Sequence, residues 1–87
     1  MRLKFPESVV FREEPGGAIL FNADTGDMRI VEGVAWGICH LIDGGSTRQD
    51  VLENLKKLYP EQNSLKEDLD SFIADLQGSG MLEIHRR

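Results

Sequence analysis

The sequence predicts an α+β fold, a winged helix-turn-helix in which a three-stranded antiparallel sheet is followed by three helices. Short apolar runs separated by turn residues fill the first third of the chain, which is typical of strands. From Gly33 onward the apolar residues recur at helical spacing instead. With 87 residues, 40 % of them hydrophobic, the chain has room for one core. We therefore expect residues 1–87 to form a single domain.

Three short strands with short links are predicted before Gly33. β-Branched and aromatic residues mark the strands, and Gly, Asn, Asp and Pro residues mark the turns. The approximate ranges of the strands are 9–11, 18–21 and 28–31. Residues 1–7 are expected to form a loose arm, because Pro6 interrupts any regular element, and residues 85–87 are expected to be a polar tail.

The third strand has two faces whose assignment the sequence leaves open. Met28 and Ile30 share one face, and Arg29 and Val31 share the other, because side chains alternate along a strand. If Met28 and Ile30 pack under the helices, the other pair faces outward. The hydrogen-bonding groups of the backbone of this strand are the same in both assignments.

The first two predicted helices lie between Gly33 and Pro60. Val34, Ile38, Leu41 and Ile42 have the spacing of one helix face, and glycines follow them. Asp43, Gly44 and Gly45 form the turn that is expected to end this first helix. The second helix has two candidate capping boxes, Ser46 with Gln49 and Thr47 with Asp50. Pro60 should end this helix.

The third helix is predicted to begin at Ser64, where Glu67 three residues later completes a capping box. Its apolar residues form a stripe wide enough to face a core; they are Leu65, Leu69, Phe72, Ile73 and Leu76. Gly78 and Gly80 should end the helix. A short wing strand is then expected at Met81, Leu82 and Ile84.

Charge content disfavours nucleic-acid binding, and cysteine content excludes an internal disulfide. Ten Lys and Arg against fifteen Asp and Glu give a net charge of −5, which disfavours contact with nucleic-acid phosphates. A winged-helix DNA-binding protein remains an alternative, but its third helix would offer mostly acidic side chains. Cys39 is the only cysteine, so an internal disulfide is impossible and a metal cluster is not expected.

No catalytic set is predicted, and the chain is not expected to be an enzyme. Cys39 and His40 are adjacent, but neighbours in a helix point about 100° apart and do not face each other. The chain also lacks an apolar run of the length found in signal peptides or membrane spans. The expected location is therefore the cytoplasm, and no cofactor is expected.

Three segments in this order resemble the PqqD-like family, also described as RiPP recognition elements. They are FPESVVFREEPGGAILFN, LIDGGSTRQDVLENLKKLYP and DLDSFIADLQGSGMLE, and the resemblance covers roughly residues 5–84. The second segment matches the family's L-x-D-G turn and its later Thr and Tyr at Leu41, Asp43, Gly44, Thr47 and Tyr59. The third segment matches the family's helix at Asp68, Leu69, Phe72, Ile73, Leu76, Gly80, Leu82 and Glu83.

The resemblance implies a peptide-binding role. Such domains bind the leader of a ribosomally made precursor peptide and present it to a modifying enzyme, a radical SAM protein in pyrroloquinoline quinone synthesis. The chain departs from the family at Val31 and Glu32, where members often carry Leu and Asn. Since Glu is a poorer N-cap than Asn, this departure predicts a weakly capped start of the first helix.

The resemblance also places the peptide beside the third strand, in the groove between that strand and the third helix. Carried over, the strand residues are Met28, Arg29, Ile30, Val31 and Glu32. The helix residues are Lys66, Leu69, Asp70, Phe72 and Ile73. Core packing is the better explanation for Leu69, Phe72 and Ile73. Of these three, Ile73 is the best candidate for the groove, because it lies at the margin of the apolar stripe. Two further alternatives stay open: an adaptor subunit that docks on an enzyme without a peptide, and a homodimer formed through the open sheet edge.

Overall fold

Two small antiparallel sheets and three helices make up the structure, a computed structural model that describes residues 2–43 and 45–85. The predicted α+β class, with a three-stranded meander followed by three helices, is confirmed. The elements in chain order are β1 (Arg2–Lys4), β2 (Val9–Glu14), β3 (Gly17–Asn22), β4 (Met28–Val31), α1 (Val34–Ile42), β5 (Ser46–Thr47), α2 (Arg48–Leu58), α3 (Leu65–Gly78) and β6 (Glu83–His85).

The meander has the strand order β2-β3-β4. Asn22 begins the turn between β3 and β4: its side-chain oxygen accepts from the amide of Asp24 at 2.9 Å. The side-chain nitrogen of Asn22 donates to the carbonyl of Gly80 at 3.3 Å, which ties this turn to the end of α3. Asn22 is buried, so these hydrogen bonds satisfy a polar group that burial would otherwise penalise.

The predicted loose arm is wrong, because residues 2–4 form the central strand of the second sheet. The order of that sheet is β5-β1-β6, and Leu3 is fully buried within the core. Pro6 lies beyond the end of β1 and so removes no hydrogen bond from it. Of the predicted polar tail, His85 belongs to β6 and pairs with Arg2, while Arg86 and Arg87 lie outside the described residues.

The helix boundaries follow the predicted signals with one correction. α2 takes the second of the two capping registers, in which the hydroxyl of Thr47 accepts from the amide of Asp50 at 3.1 Å. The capping box predicted at Ser64 is wrong. Ser64 makes no side-chain cap bond, and its hydroxyl donates instead to the carboxylate of Asp68 at 2.9 Å. Gly44, in the predicted stop of α1, lies outside the described residues.

The core lies between the inner face of the meander and the three helices. Its fully buried side chains include Leu20 from β3, Ile38 from α1, Leu55 from α2 and Leu69 from α3. Tyr59, just past α2, closes one side of this core against α1. Its hydroxyl donates to the carbonyl of Gly33 at 3.0 Å. The N-cap of α1 is Gly33 and not Glu32 as predicted, and it makes no side-chain cap bond, so the bond from Tyr59 helps to hold the start of the helix.

Gly37 provides the space for this tyrosine, and replacing it with Ala should destabilise the fold by about 1–2 kcal/mol. An added Cβ would lie 2.8 Å from both Cε2 and the hydroxyl oxygen of Tyr59, so the ring must move and its bond to Gly33 is lost. Gly78→Ala is the matched control, because no atom lies within 4 Å of its Cβ position. Thermal unfolding of both variants checks this, and equal losses of stability would contradict it.

Candidate functional site

The outer edge of β4 offers unpaired backbone groups, because among the described residues β4 pairs only with β3. The amide of Asn22 donates to the carbonyl of Asp27 at 2.9 Å across the turn. Bonded and non-bonded pairs alternate along an antiparallel ladder. In the observed register, Arg29 and Val31 therefore bond to β3. The amides and carbonyls of Met28 and Ile30 consequently point to the open edge.

The side chains of β4 divide between the two faces of the sheet. Val31 is buried, with 4 % of its surface exposed, whereas Met28 is 60 % and Ile30 is 72 % exposed. The alternative in which Met28 and Ile30 pack under the helices is therefore wrong. Register explains the facing: Val31 stands opposite the buried Ala18 of β3, on the inner face of the sheet.

A cavity of about 550 Å³ lies between α1 and α3. Apolar side chains from both helices form much of its wall, and Asp68 and Asp75 add carboxylates. The lining residues are Val34, Ala35, Ile38, Asp68, Ser71, Phe72 and Asp75. A guanidinium nitrogen of Arg29 donates to the carboxylate of Asp75. This ion pair connects β4 to one residue of the cavity wall. We refer to the edge of β4 together with this cavity as the groove.

The predicted helix residues occupy different environments. Phe72 is half-buried and lines the cavity, while Leu69 and Ile73 are buried in the core. Asp70 is turned toward α2, where its carboxylate pairs with Arg48 at 2.6 Å. Lys66 is exposed and does not line the cavity.

Glu32 is also exposed, immediately after β4. Of the predicted helix residues, Phe72 lies in the cavity wall, and Lys66, Leu69, Asp70 and Ile73 do not. Their role in binding stays a prediction.

The sequence reasoning missed the contribution of α1 and the acidic flank of α3. Asp68, Phe72 and Asp75 are spaced i, i+4 and i+7, which places them on one helix face beside the core stripe. That spacing could have identified them. Ala35 and Ile38 had no comparable signal, because their place in the groove depends on how α1 packs against α3.

The reactive side chains of α1 do not form a catalytic pair. Burial raises the pKa of the Cys39 thiol to about 12, with a further contribution from the charge of Asp43, so the thiol stays protonated near neutral pH. His40 lies outside the core, stacked on Trp36 and 3.4 Å from the carboxylate of Glu13. Within residues 2–43 and 45–85, no three His, Cys, Asp or Glu side chains are grouped so as to hold a metal ion.

Each helix in the described parts of the chain is too short or too polar to cross a bilayer.

Comparison with known proteins decides the family. A family model described as coenzyme PQQ synthesis protein D (PqqD) matches residues 17–82. The chain belongs to the PqqD family. The resemblance expected from the sequence is thereby confirmed, and the matched range includes β4, α1 and α3, the three elements that border the groove.

One solved structure supports the fold of this PqqD-family chain. It is TbiB1 in complex with the TbiA(beta) leader peptide, and it superimposes with a TM-score of 0.85 at 20 % sequence identity. The match covers 97 % of this chain and 99 % of that chain. At this identity it establishes a shared fold, which includes the N-terminal strands that lie before residue 17. No curated protein matches the chain.

Proposed function

We propose that this chain is a non-catalytic module that binds the leader of a ribosomally made precursor peptide by strand addition to β4. The observation that carries the proposal is the open edge at Met28 and Ile30 beside the cavity between α1 and α3. Membership in the PqqD family and the likeness to a protein complexed with a leader peptide support it.

In strand addition, the peptide is recognised through both its backbone and its side chains. The outward amides and carbonyls of β4 would hydrogen-bond an extended peptide and set its register. The cavity would accept an apolar peptide side chain against Ala35, Ile38 and Phe72. Because the groove is short, we expect a dissociation constant near or below micromolar, which corresponds to a binding free energy of about −8 to −9 kcal/mol.

The proposed partner of the loaded module is a peptide-modifying enzyme of the radical SAM class, acting in the cytoplasm. This choice rests on what the PqqD resemblance implies, since the description of the matched family names coenzyme PQQ synthesis and no partner enzyme. The module itself would supply no chemistry, which agrees with the protonated, buried thiol of Cys39. Its contribution is to hold the leader so that the enzyme meets the rest of the precursor.

A second candidate function is an adaptor that docks on an enzyme without a peptide. The outer face of the meander favours it, since Val10, Phe21, Met28 and Ile30 are all large apolar residues exposed there, and such faces commonly mark protein contacts.

A second copy of the chain could cover the same face. Light scattering would then give the mass of a dimer, and Phe21→Ser would return it to that of a monomer.

Titration of the ¹⁵N-labelled chain with a synthetic leader from a neighbouring short reading frame tests the proposal. We expect amide shifts at residues 28–32 and at the cavity residues of α1 and α3. The control is a peptide of the same composition in scrambled order, which should bind much more weakly. Shifts confined to α2 would contradict the groove assignment, and absence of binding would favour the adaptor.

The DNA-binding alternative has a test of its own, salt-sensitive binding to duplex DNA. We expect none. The exposed surface of α3 carries Glu67, Asp70 and Asp75 against the single positive charge of Lys66, so it would repel phosphates.

A further inference from the structure

The groove carries negative charge that its own residues only partly neutralise. Asp68 and Asp75 both line the cavity, seven residues and so about 10 Å apart along α3. Phe72 lies between them on the same helix face. The apolar part of the groove is thus flanked by a carboxylate on each side.

The two carboxylates differ in their partners. Asp75 forms an ion pair with Arg29 of β4, so its charge is already compensated. Asp68 accepts a hydrogen bond from the hydroxyl of Ser64, a neutral group, and it forms no ion pair among the described residues. The net charge of the whole chain, −5, adds to the negative potential at this position.

We infer that Asp68 selects leader peptides that carry Lys or Arg close to the apolar residue inserted in the cavity. This inference rests on the proposed function, whose groove it deepens by naming the class of sequence bound. Alternate side chains of an added strand point the same way, and residues two apart are separated by about 7 Å. Asp68 is one turn, about 6 Å, from Phe72 along the helix. A basic residue two positions from the apolar anchor is therefore within reach of Asp68.

The side chains of Lys and Arg are long, so their contact with Asp68 does not depend on the detailed path of the peptide. Lys and Arg extend their charge on flexible stems, and the apolar part of such a stem can lie along Phe72. An acidic residue at the same peptide position would meet Asp68 without compensation. We therefore expect Lys and Arg to bind best, Gln to be intermediate, and Glu to bind worst.

A double-mutant cycle tests the inference. The binding leader is synthesised with Lys or Gln two positions from its apolar anchor, and each peptide is titrated into the wild-type chain and into Asp68→Asn. At low ionic strength the wild type should prefer the Lys peptide by about two- to fivefold, as expected for a solvent-exposed ion pair. Asp68→Asn should remove this preference. Added salt should reduce it in the wild type.

Asp70→Asn is the matched control, because it makes the same change of charge on the same helix. The carboxylate of Asp70 faces Arg48 and does not line the groove, so the Lys preference should survive in this variant. An equal loss in both variants would show that net charge alone is responsible, and would overturn the inference. If the Lys and Gln peptides bind the wild type equally well, the inference fails and the proposed function stands. If neither binds, the proposed function itself fails.

Discussion

Ala35→Phe should weaken leader binding by about ten- to a hundredfold, because the new ring occupies the space that the peptide's apolar side chain needs. Burying such a side chain contributes about 1.5–3 kcal/mol, which corresponds to that loss of affinity. Ala35 is half-buried and lines the cavity. The ring can therefore enter existing space without displacing the core. Isothermal titration with the synthetic leader measures the effect.

Ala74→Phe is the control for this substitution. Ala74 is exposed on α3 and does not line the cavity, so the same increase in side-chain size should leave the affinity unchanged. Both variants should show cooperative thermal unfolding near the wild-type temperature. If the folded Ala35→Phe chain binds as tightly as the wild type, the cavity does not receive the peptide.

Ile30→Pro should weaken binding by about 1–3 kcal/mol, the range for a hydrogen-bonding group left without its partner. Proline lacks the amide hydrogen, and the amide of residue 30 faces the open edge of β4 and not β3. Edge strands tolerate proline where the missing donor faces outward. The variant should therefore fold, and it should lose affinity about five- to a hundredfold in the same titration.

The control at this position is Ile30→Ala, which keeps the amide and removes most of the side chain. The side chain of Ile30 is exposed on the outer face of the sheet, away from the cavity, so its loss should matter much less than the loss of the donor. Equal affinities for the Pro variant and the wild type, with both chains folded, would count against strand addition.

The meander and the helices could be predicted because each has a local signal of its own. The sheet of β1, β5 and β6 could not be predicted as a sheet; of its strands only β6 (Glu83–His85) overlaps an expected one, the wing strand, and it does so at Ile84. These strands contain two or three residues each, too few to show a period, and Leu3 pairs with Ser46 and Ile84 far along the chain. Pro6 does not interrupt β1, because it lies after the strand ends at Lys4.

The facing of β4 shows why the site could be predicted only in part. By hydropathy alone, Met28 and Ile30 are candidates for the inner face of the sheet and Arg29 for the outer one. The structure has the reverse arrangement because Val31 packs in the core. The guanidinium of Arg29 is accommodated on the inner side by its ion pair with Asp75. Arg29 and Asp75 are 46 positions apart in the sequence, so no local pattern predicts their ion pair.

Amide hydrogen exchange along β4, measured residue by residue with and without saturating leader peptide, tests strand addition most directly. The amides of Arg29 and Val31 bond to β3 and should be protected in both states. Those of Met28 and Ile30 should exchange quickly in the free chain and slow markedly in the complex. Saturated binding that leaves Met28 and Ile30 exchanging as fast as before would show that the peptide does not pair with this edge.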